Sequence, residues 1–544
     1  MESIEFEGRR VALAIHPHAA DDDLLSAGLG LQGLQVPLAS PQGPLDWRGR
    51  RRRAIQANWQ GIAYLAAPHP VLVDALARPI CGRELQARLH LPGAPAHRVM
   101  LQIPEQFDPA RPRLLLTATS GSRGVFGAVA LASAWGLPRG YAVVHTDKGC
   151  GTDWYDVDRA SSPDLLGAMT DDPVRQLFRP DTAGLPPHCV LTPHAHSMGH
   201  PEAHWGDYLH QAMRFAWTAL DALFPAQRPS AASRRRCLAV GLSNGGAAVL
   251  RALERPQGID GAVVLAPNVL PRRGGRAFLD YAAEAALWLP LALQVPALAD
   301  RRAELQAFAP QALERYAEAS QRALHALGRA PMRARSAWRL LRRRGWPAHT
   351  LASTLLSTSF DFWGSAGHTY TAALSRCAAA RTPLGSHFAA LDDAGQPRAA
   401  SEDEADLWWS DGAGIVPGAG VGIVEHSPRS AMLARLHRLL HGGGSDRRIA
   451  AGIRATRCGP PGGDLPITLV HGLRDGLIPA AFSSLPWARM ARAAGAQLDV
   501  RLPADAPHFD AFLALPGYNR GLQPLLPYGF EALDQLAARL DSAC

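Results

Sequence analysis

The chain has 544 residues, of which 47% are hydrophobic and 19% charged, and its formal net charge is +8. That length exceeds what one hydrophobic core organises and predicts a main domain with additional structure, while the balance of residues is that of a globular protein and not of a disordered one. The excess of arginine comes with no nucleic-acid recognition motif, so nucleic acid is not an expected partner.

The N-terminus, MESIEFEGRRVALAI, turns acidic at once and has no apolar run behind a basic start. No signal peptide is read there, and the expected compartment is cytoplasmic. Residues 1–80 show helix-like patches separated by turn-rich pieces such as 36–46. The run Arg50–Arg53, like Arg342–Arg344, is read as a solvated face, with attraction of an anionic substrate as the sharper alternative. Residues 83–92 and 97–104 alternate as strands around the Pro92-Gly93 turn. Continuous apolar runs at 114–118 and 141–145 suit parallel strands buried on both faces, and a glycine-rich loop, 119–127, follows the first. Residues 201–224 have helical spacing. A strand at 237–242, a helix at 245–254 and a strand at 261–265 follow.

From 271 to 455 the sequence is Ala-, Leu- and Arg-rich and mainly helical. Its most apolar stretch, 283–298, is broken by Pro290 and Pro296 and is read as a buried or ligand-facing helix pair, too short to span a membrane. Strand character returns at 467–471 and 497–502, separated by a helix at about 480–494, and a last helix covers 530–541. The expected division is an N-terminal extension (1–81), a first core part (82–270), a helical cap insertion (271–455) and a second core part (456–544). The seven cysteines, Cys81, Cys150, Cys189, Cys237, Cys377, Cys458 and Cys544, are scattered without zinc spacing and fit a reducing compartment.

Gly241-Leu242-Ser243-Asn244-Gly245 is a G-x-S-x-G pentapeptide between a predicted strand and a predicted helix. Glycines two positions either side permit a strained turn that projects the serine hydroxyl, and the helix start offers amides to an oxyanion. This is the nucleophile elbow of an α/β-hydrolase fold, with a mostly parallel sheet. In that fold the acid and then the base follow the serine. Asp475 lies just beyond the strand 467–471 and His508 just beyond the strand 497–502, so Ser243, Asp475 and His508 form the expected triad. His471 is expected to bond locally. His426 falls within the insertion, and Asp505 and Asp510 lie too close to His508 for the usual topology. His194 and His196 have two-ligand metal spacing but no third ligand at matching distance, so no metal site is assigned. The amide of Asn244 is one oxyanion donor, and Gly121 and Ser122 are the candidates for the second. Arg123 is a candidate for pairing with a substrate carboxylate. No cofactor is required.

Several stretches together resemble the D-3-hydroxybutyrate oligomer hydrolases of bacteria: DDDLLSAGLGLQGL (21–34), ATSGSRGVFGAVALASAWGLPRGYAVVHTDKGCGTDWYD (118–156), PHAHSMGHPEAHWG (193–206), VGLSNGG (240–246), LVHGLRDGLIP (469–479) and HFDAFLALPGYN (508–519). The resemblance implies hydrolysis of short linear (R)-3-hydroxybutyrate oligomers to monomer, with Ser243 as the nucleophile and the oligomer as a small-molecule partner. Members are often longer and regarded as exported, which makes a secreted or periplasmic location the alternative. Competing readings are a hydrolase of other esters or amides, and a silent module that binds polyester granules. Retention of all three triad residues argues against the second.

Overall fold

The computed structural model describes every residue except 1, 42, 64–68, 226–234, 306–310, 411–420, 443–445, 516–517 and 543–544. Among the described residues the main sheet has ten strands. In chain order they are β1 (Glu2–Phe6), β2 (Arg9–His18), β3 (Gly82–Leu89), β4 (His97–Pro104), β5 (Arg113–Ala118), β6 (Ala142–Thr146), β7 (Arg236–Leu242), β8 (Gly261–Leu265), β9 (Ile467–Val470) and β10 (Leu498–Arg501). Their spatial order is β1-β2-β3-β4-β6-β5-β7-β8-β9-β10. The strands β1 to β4 and the β4–β6 pair are antiparallel; β6, β5, β7, β8, β9 and β10 run parallel to one another.

The parallel strands are apolar on both faces because both are covered. Leu114, Leu116, Ala239, Ala262 and Val264 meet Tyr208, Leu209 and Phe215 of helix α2 (Trp205–Leu223) and Val249 and Leu250 of α3 (Asn244–Ala252). Leu115, Leu238, Val240 and Val263 point the other way, toward Ile55 and Trp59 of α1 (Trp47–Trp59) and Phe530 and Leu533 of the C-terminal helix Leu526–Ser542. Alternation of side chains along each strand produces the two cores.

Two N-terminal findings differ from expectation. Residues 2–18 form a hairpin that extends the main sheet. Its turn residues, Glu7 at φ 51° and Gly8 at φ 73°, supply the positive dihedrals that a two-residue hairpin needs. The alternation in SIEF and RRVALAI was the available signal. The run Arg50–Arg53 is not a solvated face. Arg51 is 2% exposed and lies 2.8 Å from Asp22 and 3.1 Å from Glu84. Arg50 donates to Leu45 O and Leu166 O, Arg52 to Ala27 O and Asp21 O, and Arg53 to Ala39 O. The arginines therefore join α1 to the loops around it.

The cap is built on α4 (Phe278–Ala292) and α5 (Phe362–Ser375), around a core holding Trp288, Trp346 and Trp363. Residues 283–293 of the apolar stretch 283–298 are buried there, whereas Pro296 and Ala297 are exposed, and the pair Phe278–Ala292 and Pro296–Leu305 bends by 95°. No single described helix is long and apolar enough to cross a membrane. The region is not wholly helical. Ser386–Leu391, Pro397–Arg398 and Val421–Glu425 form a small sheet with Cys189–Leu191 and Tyr155–Asp156, so segments on both sides of the elbow build it.

Burial would raise the Glu84 carboxyl, but Arg51 and His18 outweigh it and hold the pKa at about 2, against 4.5 for the free side chain. The stability this adds is present above pH 4.5 and lost as the pH falls toward 2. Glu84→Gln, which leaves Arg51 buried without that charge, is expected to lower the unfolding free energy by about 3–5 kcal/mol at neutral pH. Urea denaturation at pH 7 and at pH 3 measures it, and the gap between wild type and variant should narrow at the lower pH.

Candidate active site

Ser243 stands between β7 and α3 at φ 59°, ψ −121°, a conformation that a non-glycine residue holds only when its surroundings over-determine it. Its N–H donates to Leu265 O of β8 at 2.9 Å, and its carbonyl accepts from Ala247 N and Asn268 N at 3.0 Å each. The flanking glycines are required by contact. A Cβ on Gly241 would stand 2.4 Å from Gly245 O, and one on Gly245 would stand 2.1 Å from Ala118 O. The elbow is thus pressed against the end of β5, where the loop 119–124 begins.

Asp475 and His508 leave the carboxyl ends of β9 and β10, two and three strands along the parallel edge from Ser243. His508 Nδ1 lies 2.6 Å from Asp475 Oδ2, and both residues are buried. Asp475 Oδ1 accepts the amides of Leu477 and Ile478 at 2.8 and 2.7 Å. Burial acts to raise the Asp475 carboxyl, but His508 and His471 hold it far below the ordinary carboxylate range. Gly472 and Gly476 permit this loop. Their Cβ positions would meet Ala506 O at 2.1 Å and, from the cap, Ser353 O at 2.3 Å. The hydroxyl of Ser243 and His508 are not hydrogen-bonded to each other; in free enzymes such contacts commonly tighten only when substrate binds.

His471 bonds locally, as expected, with Nε2 2.8 Å from Ile478 O, but the same nitrogen lies 3.1 Å from Asp475 Oδ2. This second imidazole on the acid was missed, although its i, i+4 spacing before Asp475 was visible. Of the other candidates, Asp505 lies 3.3 Å from Arg474, Asp510 accepts the amides of Leu525 and Leu526, and His426 faces His387 at 3.3 Å. His194 contacts Ser122 and Glu202, whereas His196 accepts the Thr192 amide, so the two imidazoles serve different partners.

Asn244 opens α3, and its side chain is fixed on both sides: Nδ2 donates to Tyr370 Oη and Oδ1 accepts from Asn268 Nδ2, each at 2.9 Å. Gly121 has φ 51°, and its carbonyl accepts from the buried Lys148 Nζ at 2.7 Å. Arg123 Nη2 donates to Asn58 of α1 at 2.5 Å. A cavity behind the elbow is lined by Glu202, Trp205, Ala247, Asn268, Phe278 and Tyr370; Ser243, Asp475 and His508 do not line it. Ser243 and His508 are only 6% and 3% exposed.

A parallel sheet with a strained serine elbow, followed by an acid and a histidine on the loops after later strands, defines an α/β-hydrolase. The chain belongs to the 3HB-oligomer hydrolase (3HBOH) family, whose model matches residues 79–544, and it is accordingly an ester hydrolase. It is 30% identical to a D-(-)-3-hydroxybutyrate oligomer hydrolase of Paracidovorax citrulli, over 96% of this chain and 85% of that one. It is 31% identical to one of Azoarcus sp., over 95% and 85%. Among solved structures it is similar to the rice cell wall degrading esterase LipA from Xanthomonas oryzae, with 10% identity, a TM-score of 0.39, and 86% and 95% of the two chains covered.

His471→Phe removes one of the groups that hold the fully buried Asp475 charge. The expected loss is about 1–3 kcal/mol of unfolding free energy, measured by urea denaturation at neutral pH.

Proposed function

We propose that the protein hydrolyses the ester bonds of short (R)-3-hydroxybutyrate oligomers to the monomer through an acyl-enzyme on Ser243. The observation that carries the mechanism is the buried His508–Asp475 pair, 2.6 Å apart, on the same sheet edge as a serine held at φ 59°. Family membership supports the substrate.

In the cycle, His508 takes the Ser243 proton as the serine oxygen attacks the ester carbonyl. The Asn244 amide and an amide of the Gly121–Ser122 segment stabilise the oxyanion. His508 then protonates the departing 3-hydroxybutyrate hydroxyl, and water activated by the same imidazole releases the second acid. Asp475 stays ionised throughout, fixing the tautomer of His508 and stabilising its cation. The acid loop runs directly into the cap core, where Leu477, Ile478 and Phe482 pack. Displacement of the cap for substrate entry therefore acts on the same loop that holds Asp475. Arg123 would have to leave Asn58 to meet the substrate's terminal carboxylate.

Product analysis with hydroxybutyrate dimer, trimer and amorphous polymer tests the reading. Wild type should release monomer from dimer and trimer, and Ser243→Ala should lose about 10⁶-fold in kcat. Hydrolysis of polymer with none of dimer would overturn the substrate, and near-normal turnover by Ser243→Ala would overturn the mechanism. Comparing the dimer with its methyl ester addresses Arg123. A higher kcat/KM for the free acid that disappears in Arg123→Ala is the expected result, and equal values for acid and ester count against a carboxylate clamp.

A further inference from the structure

Beneath the loop 119–124 lies a buried polar array that the cycle above does not use. Ser122 Oγ is 2.6 Å from His194 Nδ1, His194 Nε2 is 2.8 Å from Glu202 Oε1, and Glu202 Oε2 is 3.1 Å from His200 Nδ1. His200 Nε2 ends the array against Gly452 O at 2.8 Å. All four residues are buried. They come from the loop after β5, the short helix Pro193–His196 and the turn that precedes α2.

The charge state of His194 sets the direction of these bonds. Burial alone would discharge it, but Cys150 and the Glu202 carboxylate outweigh burial and raise its pKa to about 10. Glu202 is held well below the ordinary carboxylate range, its own burial being outweighed by His194 and His200. An imidazolium carries hydrogen on both nitrogens, so His194 donates to Glu202 and to Ser122. It has no lone pair to take a proton from Ser122, so the array is not a second nucleophile. A hydroxyl that accepts at its oxygen keeps its own hydrogen for another acceptor.

The main chain of the loop is oriented from the same side. Lys148 Nζ holds the Gly121 carbonyl at 2.7 Å, and in a trans peptide the next N–H points opposite to that carbonyl. The Ser122 amide therefore faces away from Lys148. The loop also touches the elbow: a Cβ on Gly245 would stand 3.3 Å from the Thr119 carbonyl carbon. Tyr370, which accepts from Asn244, packs T-shaped against His194 with ring centroids 5.0 Å apart. One buried layer thus joins Asn244 to Ser122.

We propose that Ser122 donates to the oxyanion through its side-chain hydroxyl as well as its amide, with His194 and Glu202 as positioning residues that turn the hydroxyl toward the reacting carbonyl. The proposal rests on the Ser243 reading. Ser122→Ala should lower kcat on hydroxybutyrate dimer by about 10²–10³-fold with KM nearly unchanged. It should weaken a boronic-acid inhibitor in proportion, while inhibition by the monomer product stays the same. Glu202→Gln removes the carboxylate that accepts from His194 Nε2 and so weakens the hold on the charged imidazole, which frees Nδ1 to accept the Ser122 hydrogen and draw it away from the carbonyl; kcat should fall again. The double variant Ser122→Ala/Glu202→Gln should be no slower than the slower single, because both remove one interaction. Rates of the variants that keep Ser243 are taken per Ser243 labelled to completion by a fluorophosphonate, and those of Ser243→Ala per folded protein, so that a poorly folding variant does not imitate a catalytic loss. A kcat for Ser122→Ala close to wild type, or losses that multiply in the double variant, would overturn the proposal. Ser243→Ala, measured alongside, separates the two readings. Normal turnover there overturns the Ser243 mechanism and this proposal with it, whereas an inactive Ser243→Ala beside an unimpaired Ser122→Ala overturns this proposal alone.

Discussion

Ser243 sits at φ 59°, ψ −121°, between a strand buried on both faces and a helix that starts at the next residue. Holding a serine there requires closely placed backbone on every side. Gly241, Gly245 and Gly246 give way to one another, to Ala118 O and to Leu265 O. The order β5-β7-β8 is what brings those carbonyls to the elbow. The same contact places the loop after β5 beside the serine. Ser243 and the loop after β5 are therefore set by one packing constraint and not by two.

The protein holds several buried charge pairs. Arg51 with Asp22 and Glu84, His194 with Glu202, and Asp475 with His508 and His471 each pair an acid with a base in a dry setting. Such pairs add little stability compared with apolar packing, but they are costly to leave half-made, and so they specify geometry. The first and the third link distant parts of the chain. The first fastens the N-terminal region to the main sheet. The second ties the turn before α2 to the short helix Pro193–His196 and, through His194, to the loop after β5. The third ties the loops after β9 and β10.

The cap takes part in the site and does not merely shelter it. Tyr370 of α5 receives the Asn244 side chain, Ser353 O abuts Gly476, and Phe482, beyond the acid, packs into the cap core against Tyr281 at 5.3 Å. These contacts join the region 271–455 to Asn244 and to the loop of Asp475.

The sequence by itself determined the alternation of strands and helices, the elbow at Ser243, and the order in which Asp475 and His508 follow it. Those features are local: an apolar run of strand length, glycines at fixed offsets, and an acid or a histidine just past a strand end. The alternation of residues 2–18 is legible in the same way, but it is short. Tertiary structure decided what depends on partners far away in the chain. Arg51 looks like one of four solvated arginines until Glu84 and Asp22 close around it. His194 looks like half of a metal pair until Ser122, 72 positions earlier, and Glu202 take its two nitrogens. Burial gives those distant contacts their direction, since a charge removed from water must be matched by whatever the fold brings beside it.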